Sequence, residues 1–177
     1  MADPNQAILN GPQVDTAVLR AWLDAHAASQ SAAIRDEIAC AYTAYGRLSK
    51  IGNLLPFAQA IHETGNFSSA RWVQAFNPAG LGATNDGAWG STFASPSEGI
   101  VAQFGHLLAY AAKDSQLNVP QRLTVQFDPR LDPLTKHQWR GIAPRWIDLN
   151  GRWASPGDGY GQRILQIGDE VVQAFKH

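Results

Sequence analysis

Apolar residues recur at three- and four-residue steps from Val14 onward, so that Val14, Val18, Leu19, Trp22 and Leu23 fall on one face of a helix. Ser31 is placed to cap a second helix, 31–47, whose apolar face carries Ile34, Ile38, Ala41, Tyr42 and Tyr45. A third helix, 54–64, turns Leu54, Leu55, Ala58 and Ile61 to the core, and Gly65 just beyond supplies a left-handed stop. There the helical period breaks. Gly80, Gly82, Gly87 and Gly90 surround an Asn85-Asp86-Gly87 turn, and Asp-Gly between the short runs 81–84 and 91–94 predicts a β-hairpin. Ser95-Pro96-Ser97-Glu98 then opens a helix with a cap, a first-turn proline and a capping-box glutamate, carrying Ile100, Phe104, Leu107, Leu108 and Ala111 inward. Residues 114–158 are rich in proline, tryptophan and arginine and contain one expected short helix, 133–140. The last helix, 159–175, bears Ile164, Ile167, Val171 and Val172.

The expected architecture is a mainly helical (α+β) domain over residues 14–177, preceded by a tail of residues 1–13 that holds Pro4, Gly11 and Pro12. A chain of 177 residues with 45% hydrophobic and 16% charged residues can bury its own core and lies far from the composition of disorder. The net charge of -1 gives no cationic field for a polyanion, which argues against nucleic acid as a partner. No run is apolar enough to suggest a membrane span, and Met1 to Gln6 lacks the basic-then-apolar form of a secretory signal. The single cysteine, Cys40, sits in an apolar run and is expected to be a buried small hydrophobe.

Candidate chemistry centres on Glu63, in the last turn of the third helix and just before the glycine-rich segment. The carbonyls at a helix C-terminus disfavour a carboxylate, and shelter among Phe67, Trp72, Phe76 and Trp89 would raise its pKa by desolvation. A glutamic acid kept protonated near neutral pH is what protonation of a glycosidic oxygen requires. Gln59, one turn earlier, can steer that carboxyl. His62 invites a metal reading, but His-Glu-Thr-Gly lacks the second histidine of a zinc-binding helix, and no cofactor is expected.

The stretch Phe57-Ala58-Gln59-Ala60-Ile61-His62-Glu63-Thr64-Gly65-Asn66-Phe67 resembles the catalytic-glutamate signature of N-acetylglucosaminidases of glycoside hydrolase family 73, within the lysozyme-like superfamily. Phe76-Asn77-Pro78-Ala79-Gly80-Leu81-Gly82 is similar to that family's segment entering the hairpin. Phe93 to Ile100 is similar to its step from hairpin to helix. Trp153-Ala154-Ser155 with Asp158-Gly159-Tyr160-Gly161 resembles the element that introduces its last helix. The resemblance covers roughly residues 14–175. It departs at Trp153, which stands where the family has a tyrosine, and by one extra residue before Tyr160.

The resemblance implies a lysozyme-like helical domain with a hairpin over its groove. It also implies cleavage of the β-1,4 bond between N-acetylglucosamine and N-acetylmuramic acid in peptidoglycan, with Glu63 as general acid. Substrate contacts would come from Gln59, Asn77, Trp89, Trp153, Asp158 and Tyr160. Asp86 is first a turn residue and second a candidate carboxylate, and help from the substrate's 2-acetamido group is the other route. Trp72, Trp89, Trp146 and Trp153 are candidate saccharide platforms, at least one of them expected in the core. Arg71, Arg140, Arg145 and Arg152 are candidates for muramyl or stem-peptide carboxylates. The expected partner is a peptidoglycan strand, met by a monomer at the bacterial wall. Another carrier, a removed leader or phage-type release would bring the enzyme there. A lytic transglycosylase or muramidase using the same Glu63, or a catalytically silent glycan-binding module, are the alternatives.

Overall fold

Helix α3 (Leu54–Thr64) is buried on nearly every face, the mark of a helix enclosed by others and not one lying on a surface. The computed structural model describes residues 3–83 and 89–175. The other helices are α1 (Thr16–His26), α2 (Ala32–Ser49), α4 (Ala70–Ala75), α5 (Pro96–Ala111), α6 (Val119–Val125), α7 (Leu131–Lys136) and α8 (Tyr160–Gln173), with 3-10 turns at Asp114–Gln116 and Trp146–Leu149. The sequence-predicted face of α3 is therefore only part of what it buries. Helix α8 packs along α3, α2 lies between α1 and α5, and α6 backs α5. One core of Leu19, Ile38, Tyr42, Phe57, Phe104, Leu107, Ile164 and their neighbours joins them. The fold is mainly helical, as expected.

Caps set the helix limits. Ser31 and Ser95 accept from the backbone N–H of Ile34 and Glu98. Glu98 in turn reaches back to the N–H of Ala94 at 2.9 Å. Two short helices escaped the sequence reading, although each has a cap. Ser69 accepts from Trp72 N at the start of α4, and Asn118 with Gln121 makes a reciprocal capping box for α6.

Other expectations are corrected. Among the described residues there is no β-strand, so the hairpin's two limbs form no ladder; its tip, including Asp86, lies outside the described residues. Ser91 N donates to Leu81 O at 2.8 Å, but Asn77 and not a strand partner holds the limbs together. Cys40 is exposed, because it points off α2 opposite the stripe of Ile38, Ala41 and Tyr42. Two residues within the expected N-terminal tail touch the rest of the chain. Ile8 is fully buried, with its N–H on Pro144 O, and Asn10 N donates to Lys50 O.

Candidate active site

The chain leaves α3 through three consecutive left-handed residues, Gly65 (φ 56°), Asn66 (φ 57°) and Phe67 (φ 60°). Glycine adopts this readily, whereas a buried phenylalanine does so only when its surroundings hold it. Here Thr64 Oγ1 accepts from Phe67 N at 2.7 Å, Gln30 Nε2 donates to Phe67 O at 2.9 Å, and the ring packs on Phe57 and Trp72. Trp22 Nε1 donates to Asn66 Oδ1. The last turn of α3, and with it Glu63, is thereby fixed from behind.

In front of Glu63 lies a groove of about 290 Å³, bounded by Arg71, Ala79, Gly80, Ala83 and the 153–155 segment. Gly80, in its lining, has φ 65°, a conformation that favours glycine, and a Cβ there would come into ordinary contact with the Arg71 guanidinium (3.4 Å) and Glu63 Oε2 (3.7 Å). Oε2 is thus the carboxyl oxygen beside the groove-lining Gly80. Burial pushes the Glu63 pKa above the usual carboxylate value, against the opposing pull of the Tyr160 hydroxyl and the Arg71 charge.

The other oxygen is taken. Tyr160 OH donates to Glu63 Oε1 at 2.6 Å, Gln59 Nε2 donates to Tyr160 OH at 2.8 Å, and Gln103 Nε2 donates to Gln59 Oε1 at 2.8 Å. Gln103 Nε2 also donates to Pro56 O at 2.9 Å, and Tyr42 OH donates to Gln103 Oε1 at 2.7 Å. The Pro56 carbonyl decides the direction of the whole chain. A carbonyl only accepts, so the Gln103 atom beside it is the amide nitrogen. Gln59 must then turn its oxygen to Gln103 and its nitrogen to Tyr160, and the single Tyr160 proton has only Glu63 to go to. A protonated Glu63 accordingly carries its proton on Oε2, toward the groove. Burial keeps Tyr160 protonated, its pKa held well above the ordinary tyrosine value, and the adjacent Glu63 carboxyl adds to this.

The sequence-predicted residues divide by place. Glu63, Gln59 and Tyr160 meet in this network, and Gln59 reaches the groove only through Tyr160. Trp153 is half-buried beside the groove, donating Nε1 to Ala79 O at 3.2 Å and packing on His106 and Tyr110. Asn77 is 1% exposed and spends its side chain on the loop: Oδ1 accepts from Ala79 N and Leu81 N, and Nδ2 donates to Leu81 O and Ser91 O. Trp89 is exposed, and its carbonyl accepts from Arg71 Nε at 3.1 Å. Asp158 is exposed outside the groove lining. Trp72 and Trp146 are core, and Arg140 and Arg145 are tied to Asp114 and Asp148.

Gln103 and Tyr42 were missed as parts of the site. Tyr42 reads as an apolar-face residue, while Gln103 is a polar residue inside an almost wholly apolar helix, a signal that was present. Among the described residues no group of three or more His, Cys, Asp or Glu gathers to hold a metal.

No protein-family model and no solved structure matches the chain. A Borreliella burgdorferi protein described as an uncharacterized protein is 37% identical over 102 residues, covering 56% of this chain and 45% of its own length. The matched part thus spans less than half of that relative. The likeness to family 73 rests on the four sequence elements alone.

Proposed function

We propose that the chain is a peptidoglycan-cleaving glycoside hydrolase, an N-acetylglucosaminidase in which Glu63 is the general acid. One observation carries the reading: a carboxyl whose pKa is raised by burial presents a single oxygen, Oε2, to a groove, while the other is held by Tyr160. Glu63 gives its proton to the glycosidic oxygen as the C1–O bond breaks, and the alcohol leaves. The carboxylate left behind is stabilised by the Tyr160 hydroxyl and the Arg71 charge, both of which favour the ionised form. Water then supplies the oxygen that bonds to C1, and its proton restores the acid. Aromatic faces at Trp153 and Trp89 suit the apolar faces of sugar rings. In this reading the domain is lysozyme-like, with the Asn77-braced loop in the place expected for a hairpin.

The test is incubation of purified peptidoglycan with the wild type and Glu63→Gln, reading new chain ends by mass spectrometry. New reducing N-acetylglucosamine ends that vanish in the variant are expected. Anhydro-muramyl ends would make it a lytic transglycosylase, and reducing muramic acid ends a muramidase. Wall binding with no new ends from the wild type would leave a silent glycan-binding module. No helix among the described residues is long and apolar enough to cross a membrane.

A further inference from the structure

Beyond Trp153 the groove meets a second pocket of about 150 Å³, which shares Ala79, Gly80, Ala83 and Trp153 with it. Arg130, Arg152, His106 and His137 are in its lining, and no carboxylate is among the described residues that line it. Of the arginines elsewhere, Arg71 and Arg122 donate to backbone carbonyls, while others hold acids: Arg20 and Arg35 pair with Asp24, Arg140 with Asp114, Arg145 with Asp148 and Arg163 with Glu170. The two in the pocket do not. Among the described residues the Arg130 side chain makes no hydrogen bond or ion pair, and Arg152 donates one nitrogen to Asp148 O at 2.9 Å. The buried Asp128 behind the pocket is already engaged, its two oxygens 3.0 Å from His106 Nδ1 and one of them accepting from Arg130 N. That contact leaves His106 Nε2 as the ring nitrogen available to the pocket. Tyr110, edge-on to His106, donates its hydroxyl to Arg152 O at 3.3 Å and ties the two walls together.

We propose that this pocket is the subsite for a carboxylate carried by the glycan whose backbone lies in the Glu63 groove. The assignment rests on the glycan-cleaving reading above and deepens it by naming the wall that holds the substrate's acidic branch, so that such a saccharide binds in preference to a neutral one of equal length. Guanidinium forks match carboxylates in bidentate geometry, and two arginines that hydrogen-bond no carboxylate among the described residues, lining one concave wall, suit that use. Trp139, half-exposed on the rim, and Trp153, shared with the groove, flank the branch with aromatic faces. The carboxylate has two possible carriers, an ether-linked acid on the sugar itself or a peptide attached to it.

Binding is measured by calorimetry on Glu63→Gln, so that turnover does not intrude, with three probes of equal glycan length. They are an N-acetylglucosamine oligomer, a peptidoglycan glycan stripped of peptide by an amidase, and the same glycan with its peptides. At least one acidic probe should bind roughly tenfold or more tightly than the neutral one, the size of one charge-assisted contact. Adding Arg130→Gln and Arg152→Gln should bring that ratio to about one in a protein whose melting curve is retained. A gain with the stripped glycan places the carboxylate on the sugar; a gain only with the peptide-bearing glycan places it on the peptide. Equal affinity for neutral and acidic probes, a ratio untouched by the arginine changes, or no binding of any probe overturns the assignment. Failure of the glycosidase reading shows separately, as absence of new chain ends from wild-type protein.

Discussion

The Tyr160 hydroxyl sits 2.6 Å from Glu63 Oε1 as donor and 2.8 Å from Gln59 Nε2 as acceptor, so its one proton cannot be turned elsewhere. Tyr160→Phe removes a bond that favours the ionised acid, while the larger effect, burial, remains. The Glu63 pKa should then rise further, and the alkaline limb of the kcat/KM profile should move to higher pH. Turnover should fall about 10- to 100-fold, the worth of a hydrogen bond to a charged group. A pH–rate profile superimposable on the wild type would refute this coupling.

Glu63→Gln should cost about a hundredfold to ten-thousandfold in turnover and at the same time stabilise the fold at neutral pH. The sign follows from proton uptake. The folded state holds the Glu63 proton to higher pH than the unfolded chain, which releases it around 4.5, so wild-type stability falls as pH rises through that window. The variant should therefore melt above the wild type at pH 7, with the gap closing as the pH approaches 4.5. Paired thermal melts across this range read it directly.

Gln103 acts through Gln59 and Tyr160 without touching the groove, so it is a positioning residue. Gln103→Glu keeps its shape but sets an acceptor against Pro56 O and breaks the donor order, and Gln103→Met removes the link. Both should lower kcat with KM little changed, whereas Tyr42→Phe, which deletes only the far donor, should cost about 1 kcal/mol of stability and little turnover. If Gln103→Glu ran at the wild-type rate, the direction of the network would be irrelevant to catalysis.

Asn77 stands in the sequence reading as a substrate contact, yet its four hydrogen bonds go to the loop. Asn77→Ala leaves buried backbone groups unpaired and should destabilise by about 2–5 kcal/mol. Cleavage by a protease within 76–93 should accelerate together with the loss in melting temperature. A variant of normal stability that bound glycan poorly would restore the substrate-contact role.

Trp153 is half-buried and lies on both pockets. Trp153→Ala should cost about 2 kcal/mol, short of the 3–5 of a fully buried aromatic, and should also weaken glycan binding; Trp153→Tyr should be tolerated. Melting and a binding isotherm on the alanine variant separate the two effects.

Helix periodicity and caps made α3 legible to the residue, because Leu54 to Thr64 lies between an apolar onset and Gly65. The position of Glu63 was legible for the same reason, since a helix end before a glycine-rich segment is a local feature. Tyr160 was named from the resemblance, but its bond to Glu63 joins residues 97 apart, and the Gln103 bonds to Pro56 and Gln59 span 47 and 44. No periodicity carries such pairings. The lack of strands among the described residues has a physical cause as well. Short runs flanking a turn can also be limbs joined by a side chain, and Asn77 lies outside the runs that suggested strands.

The occupied Oε1 has a stereochemical consequence. In a hydrolysis run by Glu63 alone, proton donation and proton recovery both pass through Oε2, on one side of the sugar ring. Water activated there arrives on the face from which the alcohol departed, and the released sugar keeps its anomeric configuration. Something must shield the opposite face of C1 in between, and the substrate's own acetamido oxygen is within covalent reach of that carbon.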